Sequence, residues 1–314
     1  MLCTKWPRHS ALFSCETHPA ADDEIIMNFI RSVVDDDTID TIFEMIGYFL
    51  MKHTKYEKAF LLYGQGANGK STLINLVSAM IGEENMSSVS LQDLEQRFRL
   101  ALLQNKLVNK FADLPRNTLP NSSSFKAVVS GDALTGEIKN KDPFQFRPFA
   151  KLLFSTNELP RAADKTIGFR RRWMIIPFEK TYSSDADVKL LEKLTKPRAL
   201  STLLNYAIVG MHRLTNNGHF TESESIKRAM QRYRLENDNV AMFVAERCLL
   251  GENETYPTKS MYEAYKKWSS DSGYRALGKG NFFKRLETDF GLSKIRIKGE
   301  SCERWQGASL ETFE

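Results

Sequence analysis

The chain has 314 residues, 42% of them hydrophobic, enough for one large domain or two smaller ones with a proper core. Its 44 basic residues against 39 acidic ones leave a net charge of +5, which suits a polyanionic partner, and no apolar run is long enough for a membrane span. The four cysteines (Cys3, Cys15, Cys248, Cys302) lack any CxxC or other zinc spacing, so they read as free thiols in a reducing, cytoplasmic compartment.

Residues 1–22 carry no periodic signal and read as a loose leader or a cut end, without the apolar core of a signal peptide. Ile25, Ile26, Phe29, Ile30 and Val33 then recur at helical spacing behind an N-cap at Asp22 or Asp23. Residues 38–51 repeat the pattern through Ile39, Ile42, Phe43, Ile46, Phe49 and Leu50. Leader and helices together (1–52) are expected to brace the domain that follows.

That domain, expected over 53–180, starts with the short apolar run AFLLY, the kind that makes a strand buried on both faces. Residues 64–71 fit GxxxxGK[ST] without a mismatch, and Leu73, Ile74, Leu76, Val77 and Met80 follow at helical spacing. Strand, glycine-rich loop and helix in this order make a phosphate cradle. Gly64, Gly66 and Gly69 permit backbone torsions that turn successive N–H groups inward, and the positive end of the helix adds to their field. Gly64, Gln65, Gly66, Ala67, Asn68, Gly69, Lys70, Ser71 and Thr72 are therefore the expected holders of a nucleoside triphosphate. Lys70 should reach the β- and γ-phosphates, and the Ser71 hydroxyl should ligate magnesium.

Residues 91–103 read as a helix with Arg97 and Arg99 near its end. A second core strand is expected over 106–113, although Asn109 and Lys110 interrupt its apolar run. It stops at Asp113, placed to hold magnesium through water or to orient the attacking water. The alternative is a turn aspartate before Pro115. After a short helix ending at Ser130-Gly131-Asp132, two runs (133–139 and 143–149) flank a polar turn. Lys139 and Lys141 at its tip suit a phosphate backbone, with Phe144 and Phe146 beside them, although a solvated hairpin has the same pattern. AKLLFSTN (150–157) is a further strand, whose Thr156 or Asn157 would sense the γ-phosphate or the attacking water. GFRRRWMIIPF (168–178) puts Arg170, Arg171 and Arg172 directly before another core strand, where guanidinium groups suit a phosphate role.

GQGANGKST, the acidic strand end at Asp113, SGDALTGEIKNKDPFQFRP, LLFSTNELP and GFRRRWMIIPF, in this order, resemble the superfamily-three helicases. The likeness is greatest to the helicase half of phage and plasmid primase–helicases, related to poxvirus nucleoside-triphosphatase–primases, and runs from about Asp23 to the C-terminus. It implies an α/β, AAA-related P-loop fold with a parallel sheet flanked by helices. It also implies a hexameric ring that uses ATP and Mg2+ to move on single-stranded or forked DNA in the host-cell cytoplasm, alongside a primase or other replication proteins. By that resemblance Lys70 and Ser71 match Walker A, Asp113 Walker B, and Asn157 the sensor of motif C. Lys139 and Lys141 match the basic hairpin, and Arg171 and Arg172 the paired arginines near the finger position. Where many such sites carry a second acid, Ala112 stands, which leaves Glu137 or Glu158 as further candidates for the base.

Beyond Glu179 helices are expected over 188–194, 200–214 and 225–236, then an apolar helix over 239–250 and a loop over 251–255, making 181–250 a helical segment. From Tyr256 the order helix, helix, two strands around Gly299 is that of a winged helix, and a winged-helix-like domain is expected over 251–314. Residues 256–300 hold 10 basic residues, among them Lys279, Lys284, Arg285 and Lys294, against 5 acidic ones, which suggests DNA contact. A replication initiator whose ATPase drives only assembly, and a small-molecule kinase, remain as alternative functions.

Overall fold

The computed structural model describes residues 24–114, 122–160, 164, 166–180, 187, 189–297 and 302–311. The leader, both candidate N-caps, Cys3, Cys15, Pro115, Val188 and Gly299 lie outside them. The chain packs as two units, divided between Met230 and Gln231.

In the first unit the strands are β1 (Ala59–Tyr63), β2 (Met86–Ser87), β3 (Val108–Phe111), β4 (Leu134–Gly136), β5 (Phe144–Phe146), β6 (Lys151–Thr156) and β7 (Trp173–Pro177). Five of them form one sheet in the order β2-β3-β6-β1-β7, every pairing parallel, while β4 and β5 pair antiparallel as the expected hairpin. The helices are α1 (Glu24–Val33), α2 (Ile39–Phe49), α3 (Lys70–Ile81), α4 (Arg97–Leu100), α5 (Ser123–Ser130), α6 (Ile167–Arg170), α7 (Leu190–Leu194), α8 (Pro197–Asn217) and α9 (Glu224–Asn237), the last crossing the division.

Alternation along the strands serves two cores. Phe60, Leu62, Leu153, Met174 and Ile176 face a cluster shared with α1, α2, α3 and α8. Trp173 and Phe154 face the other way, where Phe125 of α5 stacks on Trp173 at 4.7 Å and Phe169 of α6 completes the aromatic layer. The sheet is therefore sandwiched between helical layers, as the resemblance implies. The two helices expected as a brace bury their apolar faces in the same core as the sheet. α2 meets α8 at a glycine contact: a Cβ on Gly47 would stand 2.4 Å from the Ala207 carbonyl, and one on Gly210 2.4 Å from that of Phe43. At the same crossing Glu44, fully buried, accepts from Arg213 Nε at 2.8 Å and from the Thr221 N–H at 2.7 Å. Those charge-assisted bonds offset the cost of burying the carboxylate.

Two expectations fail locally. The helix expected over 91–103 is broken into 3-10 turns at Asp93–Glu95 and Ala101–Leu103 around the single turn of α4. Gln96 takes an extended conformation between the first two, and Ala101 has to lie against the hairpin, 3.1 Å from where a Cβ on Gly136 would be. The helix expected over 239–250 stops at Arg247 as α10 (Asn239–Arg247). The expected loop over 251–255 belongs instead to a strand, β8 (Cys248–Pro257). Leu249 and Leu250, which made the segment look like a buried helix, are 45% and 57% exposed. Pairing decides the matter here: β8 is zipped antiparallel to β10 (Glu303–Leu310), with partners 47 to 62 residues apart along the chain.

The second unit continues with α11 (Thr258–Asp271), α12 (Lys279–Phe290) and β9 (Ser293–Arg296), with sheet order β8-β10-β9. Helix, strand, two helices and a hairpin follow one another in this unit. Its core is aromatic, with Tyr265 stacked on Phe282 at 4.2 Å and Trp305 edge-on to Phe283. Not all of its basic residues face solvent: Arg285 pairs with Asp238 and Asp289, and Lys294 pairs with Glu287 while lying over Phe283 and Trp305.

At the start of β6, Lys151 is 1% exposed, bonded to the carbonyls of Met51 and Phe149 and lying over the Tyr48 ring. Burial pushes its pKa down to about 7. Between that value and the ordinary lysine range the unfolded chain binds the extra proton, so stability should rise with pH across that window. Relative to Lys151→Met, the wild type is expected to gain stability from pH 7 towards pH 10 in denaturant titrations. A difference that stays flat with pH would show that Lys151 keeps its proton in the fold.

Candidate nucleotide-binding site

Parallel strands bring their C-terminal ends to one edge, and ligands of such sheets bind there. β1, β6 and β3 are adjacent, so the glycine-rich loop, Asn157 and Asp113 emerge side by side. The Gly64 N–H donates to the Thr156 carbonyl at 3.3 Å, tying the loop to the end of β6.

Two glycines of the loop are demanded by close approach. A Cβ on Gly64 would stand 2.2 Å from the Phe178 carbonyl, and one on Gly69, at φ +84°, 2.4 Å from Val33 Cγ1 of α1. Thus α1 buttresses the loop from behind. Asn68 is buried and donates to the Phe178 carbonyl at 2.8 Å, pinning the loop to the end of β7. Gln65, Gly66, Ala67 and Ser71 are exposed on the rim, and Thr72 is half-buried.

Lys70 opens α3, and its ammonium is folded over the loop. It donates to the carbonyls of Gly64 (2.6 Å) and Gln65 (3.1 Å) and to Oδ1 of Asn68 (2.9 Å) and Asn157 (3.1 Å). Three N–H donors are thereby shared among four neutral oxygens. Burial draws the Lys70 pKa below the usual lysine value, and the charge of Asp113 works against that shift. The contact also separates Thr156 from Asn157. Thr156 is buried, its hydroxyl donating to the Leu114 carbonyl at 3.0 Å and accepting from the Glu158 N–H, so it shapes the turn. Asn157 points at Lys70.

Asp113 is exposed, at φ +54°, with its N–H directed to Ser155 Oγ at 3.4 Å and the next N–H, of Leu114, on the Ser155 carbonyl. The polar residues inside β3 have structural work. Asn109 is fully buried and closes the sheet edge, accepting from the Val89 N–H and donating to the Val89 carbonyl, while Lys110 reaches Glu83 and Ser78. Among the described residues no group of three or more His, Cys, Asp and Glu could hold a metal ion by itself.

The arginines stand at the other edge of the sheet. Trp173 opens β7 in register with Ala59 of β1, and the Ala59 N–H donates to the Arg172 carbonyl at 2.7 Å. At about 3.3 Å per extended residue, roughly 20 Å separate Lys58 from Gly64 along the strand. Arg172 is turned inward, onto Ser130 Oγ at 2.8 Å and the Gly168 carbonyl. Arg171 has a side chain 52% exposed, and its Nη2 meets Glu57 Oε2 at 2.5 Å.

At the hairpin tip Lys139 and Lys141 are exposed, Asn140 has φ +62°, and the Lys141 N–H closes the turn on the Ile138 carbonyl. Glu137 at its base is paired with Arg97 at 2.9 Å, and Glu158 is exposed just past the end of β6. Sequence reasoning missed Glu57 altogether, since a lone acid before a strand carries no signal of what it meets.

Residues 62–172 match a family of unknown function, DUF5906, and residues 235–305 match the family described as Poxvirus D5 protein-like. These matches support the resemblance to the superfamily-three helicases of primase–helicase type. A protein named as a helicase in Invertebrate iridescent virus 3 is 24% identical over 308 residues, covering 86% of this chain and 33% of that one. Another, in Acanthamoeba polyphaga mimivirus, is 27% identical over 168 residues, covering 50% and 18%. The chain thus spans a third or less of these curated relatives. Among solved structures, the A form apo structure of NrS-1 C terminal region has a TM-score of 0.59 at 15% identity, covering 94% of this chain and 77% of that one. That likeness is one of fold. The first family match spans the loop, β3, the hairpin and the arginines, and the second falls on the second unit and the end of α9.

Proposed function

We propose that this chain is the ATP-hydrolysing helicase portion of a viral or mobile-element replication protein, working as a head-to-tail hexameric ring on single-stranded DNA. The reading rests on one observation. Lys70, Asn157 and Asp113 converge at the strand ends, while Arg171 stands at the opposite edge of the sheet, beyond reach of its own loop. In a ring, opposite edges of neighbouring copies face each other.

The triphosphate lies along the N–H groups of 64–72, and Lys70 exchanges its carbonyl partners for β- and γ-phosphate oxygens. Magnesium, when bound, neutralises charge on those phosphates. Ser71 and Asp113 fit it as a pair, because this ion takes few protein ligands beside phosphate and water. Asn157 orients the attacking water: its oxygen bonds to the γ-phosphorus as the bond to the β–γ bridging oxygen breaks, and Arg171 of the next copy meets the developing charge. Glu137 is occupied by Arg97. Asp113 and Glu158, at the ends of β3 and β6, are the proposed acceptors of the water's proton.

The reading is tested by measuring ATP hydrolysis with and without single-stranded DNA while following oligomer size. Strand displacement on a forked substrate separates a helicase from an assembly-only initiator, and a small-molecule kinase would ignore DNA. No helix among the described residues is long and apolar enough to cross a membrane. Work on DNA in the host cytoplasm, with a primase as partner, is part of the same proposal.

Lys139 and Lys141 are proposed to grip backbone phosphates. Changing both to alanine should weaken single-strand binding and flatten its log–log salt dependence by about 1.4 per bound subunit, from roughly 0.7 for each phosphate no longer neutralised. An unchanged slope would leave the hairpin tip as solvated surface.

A further inference from the structure

The acid before β1 is held unlike an ordinary surface acid. Glu57 has φ +47°, in the left-handed region that a non-glycine residue occupies at a cost, and its N–H is fixed to the Thr54 carbonyl at 2.8 Å. Its carboxylate meets Arg171 at 2.5 Å and Arg172 at 3.7 Å. Partial burial raises its pKa, but the bond and charge of Arg171, the charge of Arg172 and a bond with Ser130, the last residue of α5, together hold the carboxyl below the usual range. The arginines are not equivalent in this cluster. Arg172 is enclosed and also bonded to Ser130, so it anchors the carboxylate from within. Arg171 lies on the outer side, half exposed. From below, Lys58 Nζ donates to the Arg171 carbonyl at 2.6 Å.

We propose that Glu57 is a positioning residue for Arg171. It fixes the guanidinium through one nitrogen and leaves the outward donors aimed away from the subunit, ready for a phosphoryl group held by the next copy. A free arginine would have to lose its rotamer freedom at each turnover, whereas a clamped one has lost it beforehand. The strained backbone of Glu57 fits this role, because it sets the carboxylate at the junction of the 54–58 turn, α5 and the start of β7. The inference rests on the trans-acting role assigned to Arg171 above.

The test uses the full chain with Glu57→Ala and Glu57→Gln. Glu57→Ala should lower kcat for ATP about tenfold, with KM and oligomer size unchanged. Glu57→Gln, which keeps an acceptor oxygen, should fall between it and wild type. The decisive readout is complementation. Mixed with Lys70→Ala protein, which keeps a clamped arginine but no working loop, Glu57→Ala protein should gain activity per intact loop, since some of its loops now face a well-held Arg171. A defect of folding within the subunit would gain nothing. If Arg171→Ala is complemented by Lys70→Ala but Glu57→Ala is not, or if Glu57→Ala turns over at the wild-type rate, the positioning role is overturned and the trans arginine stands. If neither mixture recovers although subunits exchange, the trans arginine falls and takes this role with it.

Discussion

Lys70→Ala protein is expected to lose ATP hydrolysis by at least about a hundredfold, the cost of removing one preorganised donor from a developing oxyanion. The structure adds a reason for the loss to be large. Lys70 sits at the meeting point of the loop, Asn68 and Asn157, so its removal also takes away the charge against which Asn157 is set. No neutral side chain supplies a cation at that point, and Lys70→Met should do no better. The measurement is steady-state phosphate release in magnesium and ATP, with thermal unfolding to show that the variant is folded. Because Lys70 is buried over neutral oxygens in the free protein, its removal should leave Tm unchanged or slightly raised. Turnover within a few-fold of wild type would remove the loop from the chemistry.

Arg171→Ala should cost roughly a thousandfold in kcat, the low end of the range for a guanidinium at a transferring phosphoryl group. Neither it nor Lys70→Ala should turn over alone. Their mixture should, because some boundaries then join an intact loop to an intact arginine. Recovery will be partial, since few boundaries in randomly mixed rings qualify. Arg172→Ala is expected to behave differently. Its side chain is committed to Ser130, Gly168 and Glu57, so the loss should appear first as a lower Tm. Equal complementation by both variants would undo this division between the arginines. A mixture of Arg171→Ala and Lys70→Ala that exchanges subunits and stays inactive would remove the trans role.

The glycine-rich loop between strand and helix was legible from residues alone because its geometry is local. Strand, loop and helix are contiguous over 59–81, and the glycines, lysine and hydroxyl stand at fixed offsets along one stretch of backbone. Strands covered on both faces were legible for a related reason, since fully apolar runs such as AFLLY need such cover, and the parallel sheet between helical layers followed from the resemblance. Where the choice lay between neighbouring residues, the sequence left it open. Thr156 and Asn157 are both polar at a strand end. Only the Leu114 carbonyl, some forty residues upstream, draws one inward and leaves the other facing Lys70. Arg171 and Arg172 are equally charged, and their side chains part because Ser130 and the Gly168 carbonyl hold Arg172 inward while Arg171 meets Glu57 half exposed. The same holds for β8. An apolar stretch at the end of a helix pattern became a strand because β10 offers it a ladder of backbone partners. Covalent neighbours set what the loop is made of, whereas contacts between residues far apart in the chain decide which of two similar side chains faces the site.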